Sequence, residues 1–77
     1  MAFISSFEER PLSPRGVHDP VLCGYRALEI GGKRILQLET YGSLDRKVVD
    51  QPSQKIQLDA EGARALKRII ESSFPGL

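Results

Sequence analysis

Apolar and polar residues alternate along this chain with two different periods, and the change of period marks its elements. Tyr25 to Ile30 and Lys33 to Tyr41 are strand-compatible runs that flank Gly31-Gly32. A Gly-Gly pair supplies the positive φ angles of a tight turn, so the two runs predict a β-hairpin. Pairing across it sets Ile30 against Lys33, Leu28 against Ile35 and Ala27 against Leu36. One face then collects Tyr25, Ala27, Leu36 and Leu38, and is read as the core side. The other collects Arg26, Leu28, Ile30, Lys33, Ile35, Gln37, Glu39 and Tyr41, a mixture that suits an exposed binding face.

After a polar stretch over residues 42–53, which holds Val48 and Val49, Gln54 to Leu58 alternates again. It predicts a strand with Ile56 and Leu58 facing in. From Asp59 the period becomes helical. Asp59 is a good N-cap, Glu61 lies where the helix dipole favours an anion, and Leu66, Ile69, Ile70 and Phe74 form one stripe. Arg64, Lys67, Arg68 and Glu71 take the other side, and Pro75-Gly76 ends the helix. Gly62 costs about 1 kcal/mol relative to Ala in a helix, which suggests close packing there. At the other terminus, Phe3, Ile4 and Phe7 predict a short edge strand. Pro11, Pro14 and Pro20 make residues 11–20 an extended linker.

The expected architecture is α+β: a small curved antiparallel sheet of about four strands, with one C-terminal helix packed on one face. It forms a single domain over residues 1–77. Residues 1–20 are edge strand and linker, 21–58 the sheet, and 59–74 the helix.

Composition sharpens the energetic side. A chain of 77 residues has a thin core, and small domains usually need a staple. Cys23 is the only cysteine and His18 the only histidine, so neither an intramolecular disulfide nor a structural zinc site is expected, and no cofactor. Stabilisation must come from the core itself or from a second copy. No apolar run approaches the roughly 20 residues of a membrane span, so no membrane partner is expected. A lone thiol fits a reducing cytoplasm.

Catalytic chemistry finds little support. His18 sits between Val17 and Asp19 in the proline-bounded segment and reads as solvated. Cys23, between Leu22 and Gly24, reads as a small buried hydrophobe. Glu8 and Glu9 are adjacent and cannot converge on one ligand. No enzyme is expected. Binding fares better. The net charge is only +1, with 11 Lys and Arg against 10 Asp and Glu, but Arg26, Lys33 and Arg34 lie along the hairpin and Arg46 and Lys47 just beyond. Tyr25 and Tyr41 stand near them. Cations for phosphates beside rings for unpaired bases suit single-stranded nucleic acid. Glu29, Glu39 and Asp45 dilute the patch.

The run Gly31-Gly32-Lys33-Arg34-Ile35-Leu36-Gln37-Leu38-Glu39-Thr40-Tyr41, a polar loop, and then Lys55-Ile56-Gln57-Leu58-Asp59 leading into an amphipathic helix resembles the positive-cofactor-four type of transcriptional coactivator. The resemblance covers about residues 25–72. It implies a dimeric domain that binds single-stranded DNA on a curved sheet. Lys33 falls on that family's basic residue after the hairpin glycine, Tyr41 on a strand-end aromatic and Lys55 on a basic position before the last strand. The chain departs from the pattern at three base-holding positions: Ile30 replaces an aromatic, Glu39 an arginine and Gly42 a stacking tryptophan.

The expectation is therefore a non-enzymatic homodimer binding single-stranded DNA or RNA through Arg26, Lys33, Arg34, Tyr41, Arg46, Lys47 and Lys55. The alternative is a protein-interaction or regulatory module whose partner docks on Leu28, Ile30 and Ile35.

Overall fold

The computed structural model describes residues 1–13, 16–43 and 52–77. Its elements follow the order strand, strand, strand, strand, helix: β1 (Ala2–Phe3), β2 (Val21–Ile30), β3 (Lys33–Ser43), β4 (Gln54–Leu58) and α1 (Ala60–Ser73). The sheet runs β1-β4-β3-β2 and is open. This is a small α+β fold.

The hairpin forms as its sequence dictates. Gly31 and Gly32 adopt φ of 57° and 79°, and the register pairs Ile30 with Lys33, Leu28 with Ile35 and Ala27 with Leu36. Farther along, the pairing shifts by one residue between Val21 and Cys23. Gly42, at φ 72°, lies in that irregular stretch and takes the left-handed conformation that favours glycine. The glycine that stands where the resembled family has a tryptophan thus has a backbone role here.

β3 is paired on both edges. Against β4 its register sets Leu36 opposite Leu58, Gln37 opposite Gln57, Leu38 opposite Ile56 and Glu39 opposite Lys55. Strand alternation then puts Leu36, Leu38, Ile56 and Leu58 on one face and the polar pairs on the other. α1 lies on the aliphatic face, against β3 and β4. Its first turn is fixed by Asp59, whose backbone is extended and whose Oδ1 accepts from the Gly62 amide at 2.9 Å. Gly62 is buried, and a Cβ placed there would stand 3.2 Å from Leu58 Cδ2 and 3.3 Å from the Ile4 carbonyl. Leu58, 1% exposed, fills the space so defined.

Four expectations change. The sheet is mixed rather than antiparallel throughout: β1 runs parallel to β4, with Ala2 opposite Ile56 and Phe3 opposite Gln57, and the Ile4 amide continues the ladder to the Gln57 carbonyl at 3.0 Å. The long connection from β1 to β2, at the far edge of the sheet, allows the parallel arrangement. Tyr25 and Ala27 are not core. Tyr25 is 80% exposed, because α1 covers β3 and β4 but does not reach β2. Cys23 is exposed for the same reason. Ile35, expected on an exposed binding face, is 6% exposed, so Leu28, Ile30 and Ile35 do not form one open aliphatic patch.

The Asp59 cap should carry a measurable share of a small stability. Asp59→Ala is expected to cost about 1 kcal/mol, which is roughly 4–8 °C in Tm for a domain of this size. Asp59→Ser should recover most of it in thermal unfolding followed by circular dichroism.

Candidate nucleic-acid interface

The face of the sheet opposite α1 is where the polar residues gather. Arg26 lies opposite Gln37 on β2, Lys33 opens β3 at the hairpin, and Lys55 lies opposite Glu39 on β4. Alternation along β3 places Lys33, Gln37, Glu39 and Tyr41 together with them, with the buried Ile35 between Lys33 and Gln37. Arg34 is one residue out of phase and points to the other face, so it does not join this group. Arg46 and Lys47 lie outside the described residues.

The centre of this face is a chain of side-chain hydrogen bonds that crosses three residues of β3 and one of β4. Gln57 Nε2 donates to Gln37 Oε1 at 2.8 Å, and Gln37 Nε2 donates to Glu39 Oε1 at 2.6 Å. The Tyr41 hydroxyl donates to the second carboxylate oxygen, Glu39 Oε2, at 2.9 Å. Gly24 makes room for this last contact. It is the register partner of Glu39, and a Cβ there would come within 3.2 Å of Tyr41 Cε2. A groove of about 400 Å³ runs beside the chain, lined by Gly24, Tyr25, Arg26, Leu28, Gln37, Glu39 and Tyr41. A second, of about 220 Å³, lies toward β1 and is lined by Met1, Ala2, Phe3, Gln37, Lys55 and Gln57. Gln37 borders both.

The network sets the charge states of its ends. The hydrogen bond from Tyr41, then that from Gln37, holds the Glu39 carboxyl below the ordinary glutamate range against an opposing effect of partial burial; the Lys55 charge adds to the lowering. Tyr41 is pushed above the ordinary phenol range, first by its hydrogen bond to Glu39, then by partial burial and the nearby carboxylate charge. The signs are opposite and the consequence is a plateau. Glu39 contributes stability that is present above the ordinary glutamate pKa and lost as pH falls through its lowered value. Tyr41 contributes stability that is present below the ordinary phenol pKa and lost as pH rises through its raised value.

For binding, the important result is that the acid in the middle of the face is already engaged. Glu39 accepts two hydrogen bonds and faces Lys55 across the ladder, whereas Arg26 and Lys33 lie toward the hairpin side. Tyr41, expected as a stacking ring, is tied through its hydroxyl and half-buried. Phe3 was not anticipated. It is the register partner of Gln57, shares this face and is 47% exposed. The phenylalanine was legible as an edge-strand residue, but its place beside Lys55 depends on β1 pairing with β4. Among the described residues no three His, Cys, Asp or Glu side chains gather as a metal site would require, and no helix is long and apolar enough to cross a membrane.

In a Tyr25→Phe background Tyr41 is the sole tyrosine. Glu39→Ala is then expected to move phenolate formation to lower pH in an alkaline absorbance titration. An unchanged midpoint would assign the shift to burial instead of the carboxylate. No protein-family model matches the chain, and neither a curated protein nor a solved structure does.

Proposed function

We propose that the protein binds single-stranded nucleic acid on the sheet face opposite α1, without catalysis and as a homodimer. The observation that carries this reading is that Arg26 and Lys55 each line a groove on one face, beside amides and aromatic rings, with Lys33 in phase with them at the hairpin end. Extended strands of phosphate, sugar and base meet such a surface along its length. Cations neutralise phosphates while amides and rings engage unpaired bases. The resemblance to positive-cofactor-four coactivators supports the same reading, and an exposed thiol at Cys23 suits a reducing cytoplasm.

The dimer is supported by the amount of surface left uncovered. The chain exposes 7048 Å², whereas a compact monomer of 8.6 kDa exposes about 4,700 Å². The radius of gyration is 14.5 Å, against about 11–12 Å for a compact chain of this length. Part of the excess comes from residues 5–13 and 16–20, nearly all of them exposed. Another part is apolar: Tyr25 on β2 and Ile69, Ile70 and Phe74 on the far half of α1 are all exposed. Ile69, Ile70 and Phe74 on α1 offer a second copy an apolar surface apart from the two grooves, neither of which they line.

Fluorescence anisotropy with labelled oligo-dT at low salt, combined with light scattering, tests both parts. A salt-sensitive isotherm and a mass of twice the monomer are expected. Alanine at Arg26, Lys33 or Lys55 should weaken binding about three- to ten-fold each, and Arg34→Ala, on the other face, less than about twofold. A flat isotherm at low salt would overturn the binding reading.

A further inference from the structure

The hydrogen-bonded chain on the open face has a direction, and the direction is imposed from one end. An ionised carboxylate only accepts. Gln37 must therefore turn its amide nitrogen toward Glu39, as it does at 2.6 Å. Its carbonyl oxygen is then the atom offered to Gln57, which must answer with its own nitrogen, at 2.8 Å. Gln57 Oε1 is left as the acceptor that the chain does not use. Without the carboxylate, two amides could be turned over together and the opposite polarity would satisfy both equally well.

Gln57 borders the 220 Å³ cavity, and so do Lys55 and Phe3. Lys55 precedes Gln57 by two residues on β4, so both face the same way. Phe3 lies directly across the β1–β4 ladder from Gln57. One cavity thus combines a fixed carbonyl acceptor, a cationic donor and an exposed aromatic ring. A nucleobase edge that matches has an N–H next to a carbonyl: the N–H meets Gln57 Oε1 and the carbonyl meets the lysine. Thymine, uracil and guanine carry that edge. Cytosine presents a ring nitrogen lone pair where the N–H should be, and adenine has no carbonyl.

We propose that this cavity reads a keto nucleobase, and that Glu39 is the positioning residue that sets its preference by fixing the polarity of the Gln37–Gln57 amide chain. The proposal rests on the single-stranded nucleic-acid reading above and adds to it a base preference and the residue that controls it. It also gives an acid on a nucleic-acid face a purpose. Glu39 costs some attraction for phosphate and in exchange orders two amides that would otherwise have no defined sense.

Oligo-dT and oligo-dC of equal length test this, since both are flexible pyrimidine strands and differ at the base edge. Wild type is expected to prefer oligo-dT about five- to ten-fold. In Glu39→Gln, residue 39 can offer either an oxygen or a nitrogen, so the preference should fall below about twofold. Affinity for both strands should rise, because a negative charge has left the face. Gln57→Met should lose the preference without that rise. Equal binding of the two strands by wild type, or a Glu39→Gln protein that binds both more tightly at an unchanged ratio, would overturn the base-reading role and leave single-stranded binding standing. If wild type binds neither strand at low salt, the nucleic-acid reading itself fails and takes the pocket with it.

Discussion

β3 is hydrogen-bonded along both edges, so its register with β2 and β4 decides which side chains meet on each side of the sheet. A shift of one residue against β4 would send Gln37 and Glu39 to the face under α1 and put Leu36 and Leu38 in their place. Two features hold the register. At one end the two-residue Gly31-Gly32 turn sets Ile30 opposite Lys33 and carries that register as far as Cys23. At the other, Leu58 must lie under the first turn of α1, where Gly62 leaves room for it and the Asp59 cap fixes the approach. The polar chain from Gln57 to Tyr41 exists because both are satisfied together.

That chain also explains how a carboxylate is tolerated in the middle of a cationic face. An unpartnered Glu39 would repel phosphate and weaken the field of Lys55. Bonded to Tyr41 and Gln37, it becomes an internal anchor whose charge is partly answered by its own neighbours. Near-zero net charge is then no measure of what the open face presents. Arg26, Lys33 and Lys55 share the open face with the single carboxylate Glu39, while α1 carries both signs, Glu61 and Glu71 with Arg64, Lys67 and Arg68.

The two faces differ in how complete they are. Leu58 is sealed, but α1 leaves β2 bare and projects its own far half beyond the sheet, so Tyr25, Ile69, Ile70 and Phe74 remain in contact with solvent. A chain of this length has little apolar surface to spare for stability. Leaving that much uncovered is consistent with a domain whose helix side is finished by a second copy. The opposite face, with its paired amides and engaged carboxylate, is already ordered.

Local chemistry was enough to define the hairpin, the strand before the helix and the helix with its cap, because glycine pairs, alternation and capping residues act over a few positions. It also predicted that Leu36, Leu38, Ile56 and Leu58 would share a side. It does not say which strands α1 covers, and Tyr25, Ala27 and Cys23, apolar by pattern, lie outside the core. The parallel docking of Ala2–Phe3 beside β4, which brings Phe3 to Lys55 and Gln57, joins residues more than fifty positions apart with no turn between them to announce it. Gln37 and Gln57 are likewise twenty residues apart, across a loop whose length leaves the register open. Sequence alone determined the elements and their amphipathic faces, since those follow from short-range sterics and periodicity. Only the tertiary structure decided which faces are covered and how the amides run, since both depend on long-range pairing.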